Sequence, residues 1–558
     1  MHIVLDLHDG VVTATRIEGD GATGDAAQLD LTALVEFVAE REAAERPRWV
    51  WANTRQWYPR LLAAGVRVER CVDLTLCHRI LRRSALTAES ALARGPESAW
   101  DVASSALIEP VPAQSPALFD VEVPATTAGL DPVREFEAQL AAVSSAEQPG
   151  RIRLLLAAES AGALIAEEIR FTGLPWRADV HDRVLTQALG PRPAPERHPA
   201  KLDELATRIR ELLDAPALNP DSQPELLAAL RRVGLDVAST RKWELRELQH
   251  PVIAPLLEYK NLYRLYTANG WAWLDAWVHE GRFRPDYVVG GVVTGRWATS
   301  GGGALQLPKN VRQAVVADPG WKLVVADAAQ LEPRVLTGLA HDRAMADAGR
   351  GRDLYDSIVA AQVVPSRPHA KVAMLGAMYG ATTGDSARLM PRLRRAFPQA
   401  IALVDHAAEE GERGDRVMSR LGRTSPPPSA GWRAVQQRAS EPGATSSDER
   451  RARSQARDWG RFTRNFVVQA SAAEWALCWM AETRLRLAAL NGRSLSGAPH
   501  LVYFLHDEVM IHTPEQFAPQ VERVLHDAAR AAGELLFGTF PVDFPLTVAT
   551  VDTYADAK

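Results

Sequence analysis

The sequence predicts an α+β protein of several domains, with an α/β region first and then a larger part in which long helical segments alternate with strands, a β-hairpin among them. Three observations carry this expectation. The chain has 558 residues, too many for one ordinary core. Residues 1 to about 120 mix short β-rich runs with helical stretches. From residue 291 onward, nearly all-apolar strand runs end in carboxylates and alternate with long helical segments.

Composition narrows the class. Hydrophobic residues make up 46% and charged residues 24%, ordinary for a soluble globular protein. No apolar run is long enough to span a bilayer, so no membrane partner is expected. The start, Met1-His2-Ile3-Val4-Leu5-Asp6, lacks the basic and apolar stretches of a signal peptide. Three cysteines, Cys71, Cys77 and Cys478, cannot build a disulfide framework, and their spacing matches no zinc site. Buried reduced thiols in a cytoplasmic monomer are the expectation. The formal net charge of -5 neither requires nor excludes a nucleic-acid partner, because DNA binding needs a local basic surface. Only seven residues are lysine, so the place of each one matters.

Along the chain, Trp49-Val50-Trp51-Ala52-Asn53 reads as a strand and Trp57 to Ala64 as a helix leading to Gly65. Residues 110–150 are rich in Pro, Ala and Ser and read as a linker or irregular segment. Arg151 to Glu168 has apolar residues at helical spacing, ending near Gly173. Residues 200–265 hold several amphipathic helices, with Leu226-Leu227-Leu230 and Leu256-Leu257-Leu262 as apolar faces. Trp321 to Asp327 is a short strand ending in a carboxylate, followed by helices over 331–341 and 367–380. Residues 424–457, poor in apolar residues, read as a mobile insertion. Residues 461–490 form a long helix, and Leu501 to His512 a β-hairpin with acids at its turn. A last strand falls at Pro545-Leu546-Thr547-Val548.

Two strand-end acids stand out, Asp327 and the Asp507-Glu508 pair. Phosphoryl transfer needs positioning and charge neutralisation more than covalent help, and two magnesium ions ~4 Å apart can clamp the attacking and leaving oxygens. Magnesium takes carboxylate, phosphate and water oxygens, usually with few protein groups. Neighbouring strand ends hold such carboxylates rigidly. Either acid alone would more often be a turn or N-cap residue. Farther on, Arg367 and Lys371 are four apart, so they share one helix face with Leu375 and Tyr379. That face offers two cations to a triphosphate and a flat ring near a base. A solvated basic face with Leu and Tyr in the core behind it is the plainer reading.

The surroundings of these acids carry a family resemblance. Asp327-Ala328-Ala329-Gln330-Leu331-Glu332-Pro333-Arg334 resembles the first polymerase motif of the bacterial DNA polymerase I family, family A. Arg367-x-x-x-Lys371-x-x-x-Leu375-x-x-x-Tyr379-Gly380 resembles the second, and His506-Asp507-Glu508 the third. Thr294-Gly295-Arg296, Leu305-Gln306-Leu307-Pro308 and Arg461-x-x-x-Asn465-x-x-x-Gln469 resemble smaller motifs, and all six stand in family order across about 151–558.

The resemblance implies a right-hand polymerase fold: thumb about 200–290, palm about 291–345 and 460–558, fingers about 346–459. It implies a DNA-directed DNA polymerase with two Mg2+ ions, acting on primed DNA template and deoxynucleoside triphosphates in replication or repair. By the same likeness, Asp327, Asp507 and Lys371 are catalytic. Asp327, the Ala328 carbonyl, Asp507 and Glu508 hold metal. Arg367, Lys371, Leu375, Tyr379, Glu332 and Gln330 bind the nucleotide, with Glu332 excluding a ribose 2′-hydroxyl in partnership with Tyr379. Arg296, Arg461, Asn465, Gln469 and His506 bind DNA, where the minor-groove N3 and O2 acceptors are common to every base pair.

Several positions depart from the family pattern. Ala328 and Ala329 replace Tyr and Ser, Pro333 replaces Leu, and Leu375 stands where Phe or Tyr is usual. Residues 1–110, through Asn53-x-x-x-Trp57, Gly65 and Val72-Asp73-Leu74, weakly resemble the family's 3′–5′ exonuclease domain, which makes 1–150 an exonuclease-like domain and linker. Trp57 stands where that domain has an acid, and its Asp-x-Glu motif is missing. A degenerate scaffold is the expectation, since a two-metal nuclease cannot lose most of its carboxylates. The 5′-nuclease domain of many relatives has no room in 558 residues. Alternatives remain: a non-catalytic DNA-binding protein on this scaffold, a polymerase that keeps exonuclease activity, or a single-subunit RNA polymerase, against which Glu332 argues.

Overall fold

Alternating apolar residues open the chain as a sheet with two buried faces. In the computed structural model, which describes residues 1–18, 23–105, 130–194, 197–381, 384–490 and 494–557, β1 (His2–His8), β2 (Val11–Ile17) and β3 (Thr23–Asp30) pair antiparallel. β4 (Arg48–Trp51) and β5 (Arg70–Asp73) add in parallel, giving the order β3-β2-β1-β4-β5. Successive side chains point to opposite faces. Ile3, Leu5, Trp49 and Trp51 therefore enter one core with Tyr58 and Leu61, while Val4, Val50 and Ile17 enter another with Trp100 and Phe136. The helix Thr54–Ala63 starts at an Asn53 side chain that accepts from Arg55 N.

One linker expectation is corrected. Residues 132–144, read as irregular, form the helix Pro132–Ser144, capped by Asp131 with Pro in its first turn. Its Ala- and Ser-rich sequence hides a buried face of Phe136, Gln139, Ala142 and Val143. Of the rest of that expectation, 110–129 lies outside the described residues, and 149–150 already belong to the next helix. The following helix, Pro149–Thr172, ends just before Gly173.

The chain divides into two compact units. One comprises Gly173–Pro285, Gly301–Pro319 and Val551–Lys558. It holds the helices Ala178–Leu189, Ala200–Leu212, Gln223–Arg232, Ile253–Asn269 and Trp271–Trp277. Its small sheet joins β6 (Leu174–Pro175), β7 (Val278–His279) and β8 (Arg282–Phe283) in the order β6-β8-β7. Trp176, His181, Trp273 and Phe283 cluster beside it with ring centroids 5.0 to 5.8 Å apart. Burial there pushes His181 down to about 4.

The other unit comprises Met1–Thr172, Asp286–Ser300 and Gly320–Thr550. Beyond the first sheet it holds the hairpin of β9 (Tyr287–Val288) and β10 (Ala298–Thr299). It also holds a sheet in the order β12-β13-β11-β14, made of β11 (Trp321–Ala328), β12 (His500–Leu505), β13 (Glu508–Pro514) and β14 (Leu546–Val551). The helices Leu331–Ala340, Arg367–Tyr379 and Pro398–Arg413 share a core around Leu336, Met374, Phe397 and Ile401.

The long helix begins earlier than its apolar pattern announces. It runs Ser446–Leu490, 45 residues, and the helix Ala430–Ser440 pairs with its start. The mobile insertion read over 424–457 is thus corrected to a helical hairpin. Its apolar content is low because its contacts are polar: Trp432 Nε1 donates to Gln455 O at 3.2 Å and Gln436 Nε2 to Ala452 O at 3.0 Å. Ser429 caps the first helix by accepting from Trp432 N. Buried polar links tie the first sheet to this long helix. Glu168 accepts from Tyr58, Arg67 and Arg484. Burial alone would raise the Glu168 carboxyl, but Arg484 and Arg67 outweigh it and hold it at about 2.

Candidate functional site

The site begins with a strand register. Leu323, Val324, Val325 and Ala326 in β11 are buried, and their antiparallel pairing with β13 sets Asp327 opposite Glu508. Ala328 N donates to Asp507 O at 2.9 Å. Carboxylates about 180 residues apart in the chain thus meet at neighbouring strand ends. Asp327 and Asp507 are partly exposed, while Glu508 is buried. His506, at the tip of the β12–β13 hairpin, is left-handed with φ +58°. Desolvation, then the nearby Arg296 charge, pushes its imidazole below the ordinary range.

Past Ala328 the backbone turns through Gln330, also left-handed, into the Leu331–Ala340 helix. Glu332 falls in the first helical turn, and Pro333 beside it needs no amide hydrogen there. Arg334 is buried and donates to the carbonyls of Ala329, Gly349, Asp543 and Arg352. It ties the helix start to two loops, which is a structural task.

Glu332 is the hub of the second group. The Tyr379 hydroxyl donates to Glu332 Oε2 at 2.7 Å, and Arg296 Nη2 donates to Oε1. Gln469 hydrogen-bonds the same tyrosine hydroxyl. Burial, then the bond to Glu332, raises the Tyr379 phenol above its usual value. Leu375, one helical turn back, is partly buried against the helical core. Lys371 is exposed on the same helix. Arg367 is half exposed and paired with Asp353 at 2.8 Å and Asp356 at 3.5 Å.

Other assigned residues stand as follows. Gln330 is engaged at both ends, donating to Asp353 Oδ2 at 2.6 Å and accepting from Leu354 N at 3.0 Å. Arg461 pairs with Asp458 on its own helix. Asn465 Oδ1 is buried and makes no hydrogen bond within the described residues. Arg461, Asn465 and Gln469 are spaced by four, so they follow one face of the long helix. Sequence reasoning passed over Asp353, which holds both Gln330 and Arg367. Burial works to raise its carboxyl, but bonds from Arg367, Asp356 N and Gln330 hold it below the usual carboxylate range. Its only sequence signal was an N-cap pattern, Asp353-Leu354-Tyr355-Asp356.

Among the described residues no group of three or more His, Cys, Asp or Glu side chains is arranged to hold a metal ion by itself. The donors gathered at the strand ends are all oxygen: the Asp327 and Asp507 carboxylates and the adjoining backbone. That set fits magnesium, which is commonly held by one or two carboxylates and completed by phosphate and water. In the first sheet the acids have other work. Asp73 is buried and accepts from Thr54 N, Thr54 Oγ1 and Leu76 N at 2.8 to 3.0 Å. Trp57 is buried in the core beside Tyr58 and Leu61.

The family model described as DNA polymerase family A matches residues 194–552. The chain belongs to this family. Among curated relatives, thermostable DNA polymerase I of Thermus filiformis is 26% identical over 384 residues, which are 63% of this chain and 41% of that protein. DNA polymerase I of Chloroflexus aurantiacus is 26% identical over 341 residues, 56% of this chain and 33% of that protein. The chain thus spans about a third to two fifths of the length of these relatives. Among solved structures, the POL domain of Pol1 from M. smegmatis, in complex with DNA primer-template and dNTP, aligns with a TM-score of 0.65 at 16% identity. The alignment covers 98% of this chain and 93% of that one and supports the same α+β fold. No helix among the described residues is long and apolar enough to cross a membrane.

Proposed function

We propose that this chain is a DNA-directed DNA polymerase that adds deoxynucleotides to the 3′ end of a primer on a DNA template, in replication or repair. The observation that carries the reading is the register placing Asp327 opposite Glu508 and beside Asp507. Family membership and the named relatives support it. Asp327, Asp507 and the Ala328 carbonyl, with Glu508 behind them, would hold two Mg2+ ions. When bound, the metal supplies charge neutralisation for the attacking and leaving oxygens.

The remaining roles belong to this chain's side chains. Lys371 and Arg367 take the triphosphate, Arg367 exchanging its carboxylate partners for phosphate oxygens. Exposed ion pairs of that kind are worth only about 0–1 kcal/mol, so the exchange is cheap. Tyr379 and Leu375 face the base and sugar, with Glu332 crowding a 2′-hydroxyl and Gln330 keeping the helix start in place. Arg296, Arg461, Asn465, Gln469 and His506 track the duplex. In domain terms, residues 1–150 form a degenerate exonuclease-like domain and linker, and 151–558 the polymerase, divided into thumb about 200–290, palm about 291–345 and 460–558, and fingers about 346–459.

The test is primer extension by purified protein with magnesium, comparing the parental chain with Asp327→Ala and Asp507→Ala. Both variants should lose extension by several orders of magnitude while binding primed template as before. Full extension by either one would refute the site.

A further inference from the structure

Behind the Arg296–Glu332–Tyr379 group lies a buried ion cluster that the reaction itself does not use. Glu159, on the Pro149–Thr172 helix, is fully buried between two arginines. Arg423 Nη2 donates to its Oε2 at 2.7 Å, and Arg79 Nη2 stands 3.6 Å from its Oε1. Arg79 and Arg423 are themselves 5% and 8% exposed, so neither charge is there for solubility. The three come from distant segments: the helix Leu74–Arg83 of the N-terminal region, the Pro149–Thr172 helix, and a turn beyond the Pro398–Arg413 helix.

The loop that carries Arg296 is laid directly on this cluster. A Cβ on Gly290 would lie 2.2 Å from Glu159 Oε1 and 2.4 Å from Arg79 Nη2. A Cβ on Gly295 would lie 2.4 Å from Arg423 Nε. Both glycines have positive φ, +58° and +83°, so the backbone alone can follow this path. Arg79 Nη2 also donates to Val289 O at 3.4 Å. Within the loop, Val292 N donates to Arg296 O at 3.1 Å and Gly295 N to Val292 O at 2.8 Å. Arg423 is fixed in turn. Its backbone N donates to Ser419 Oγ at 2.9 Å, and the neighbouring Gly422 O accepts from Ser84 Oγ at 2.7 Å.

We propose that Arg79, Glu159 and Arg423 are positioning residues for Arg296, and through it for the Glu332–Tyr379 pair that meets the incoming nucleotide. Glu159 Oε1, Arg79 Nη1 and Arg423 Nε make no hydrogen bond among the described residues, so the cluster is held by the Arg423–Glu159 bond and by the attraction of opposite charges, which is strong where water is excluded. A loop moulded onto it is held with it, and small misplacements at a reacting centre cost rate steeply. The N-terminal region thus contributes to nucleotide selection without touching substrate. The inference rests on the polymerase reading above.

The test is a double-mutant cycle in the full chain with Glu159→Gln, Arg296→Ala and the pair. It reads single-turnover maximal rate, half-saturating deoxynucleotide and the ribonucleotide-to-deoxynucleotide ratio. Glu159→Gln should lower the maximal rate by roughly three- to thirty-fold and relax sugar discrimination, and the double variant should be no worse than Arg296→Ala alone. Effects that multiply, or parental kinetics in Glu159→Gln, would overturn the proposal. Amide hydrogen exchange over Val289–Trp297 tests the clamp independently of activity: faster exchange in Glu159→Gln supports it, and unchanged exchange sinks it. An inactive parental chain would therefore count against the polymerase reading, while exchange still decided the clamp. If Glu159→Gln fails to fold, Arg423→Lys, which keeps the charge but loses the planar contact with Gly295, goes through the same cycle and the same exchange measurement, with the same outcomes supporting or sinking the proposal.

Discussion

On the polymerase reading proposed above, replacing Glu332 with Ala should slow deoxynucleotide addition and narrow the preference for deoxyribose. The carboxylate receives two charge-assisted bonds, from Tyr379 at 2.7 Å and from Arg296. Bonds to a charged group are worth about 1.5–3 kcal/mol when buried. The Glu332 side chain is 15% exposed and Arg296 30%, so screening brings each toward about 1 kcal/mol. Their joint loss, about 2 kcal/mol, predicts a fall of roughly 30-fold in deoxynucleotide efficiency, because on the proposed reading Glu332 is what holds Tyr379 for the nucleotide. A ribonucleotide suffers the same loss but gains the space the carboxylate occupied, so its efficiency falls less. Single-turnover extension of a primed template, with one deoxynucleotide and its ribonucleotide measured separately, reads the ratio. An unchanged ratio, with both substrates equally impaired, would refute the idea that Glu332 meets the sugar.

Further expectations follow from the same geometry. Lys371→Ala should mainly lower the maximal extension rate, since an ammonium near the leaving pyrophosphate offsets developing charge, whereas Arg367→Ala should mainly raise the half-saturating nucleotide concentration; the two kinetic constants separate these outcomes. Glu168→Gln leaves Arg67 and Arg484 buried without their anion, and chemical denaturation should show a loss of about 3–5 kcal/mol. Burial raises the Glu474 carboxyl to about 7, so the folded state binds its proton more tightly than the unfolded chain does. That contribution is complete below the ordinary glutamate value and fades as pH rises toward 7. Thermal melts from pH 5 to 8 should show a falling midpoint, and Glu474→Gln should flatten that slope.

Much of the site was legible because its residues sit in short local patterns. Asp327 ends an apolar strand, Asp507 turns a hairpin, and Arg367, Lys371, Leu375 and Tyr379 repeat every four residues, so periodicity announced the elements that carry them, while their candidate roles rest on the family resemblance. Local pattern misled where contacts were polar. The hairpin of Ala430–Ser440 with the start of the long helix buries almost no apolar side chain, so its composition resembled disorder. Charge type could likewise not show that Arg334 is structural or that Asp353 holds Gln330 and Arg367.

The amino-acid sequence by itself determined the α+β class, the order of the motifs and the chemical character of the acids, because these depend on neighbours a few residues away. Only the tertiary structure decided which distant groups meet. The β11–β13 register brought Asp327 to Glu508, the packing of the Arg367–Tyr379 helix brought Tyr379 to Glu332, and the burial of Glu159 brought Arg79 and Arg423 together. Such meetings are selected by the packing of whole sheets and helices, and a buried ion cluster has no signature in the local sequence because each partner alone looks like an ordinary surface charge.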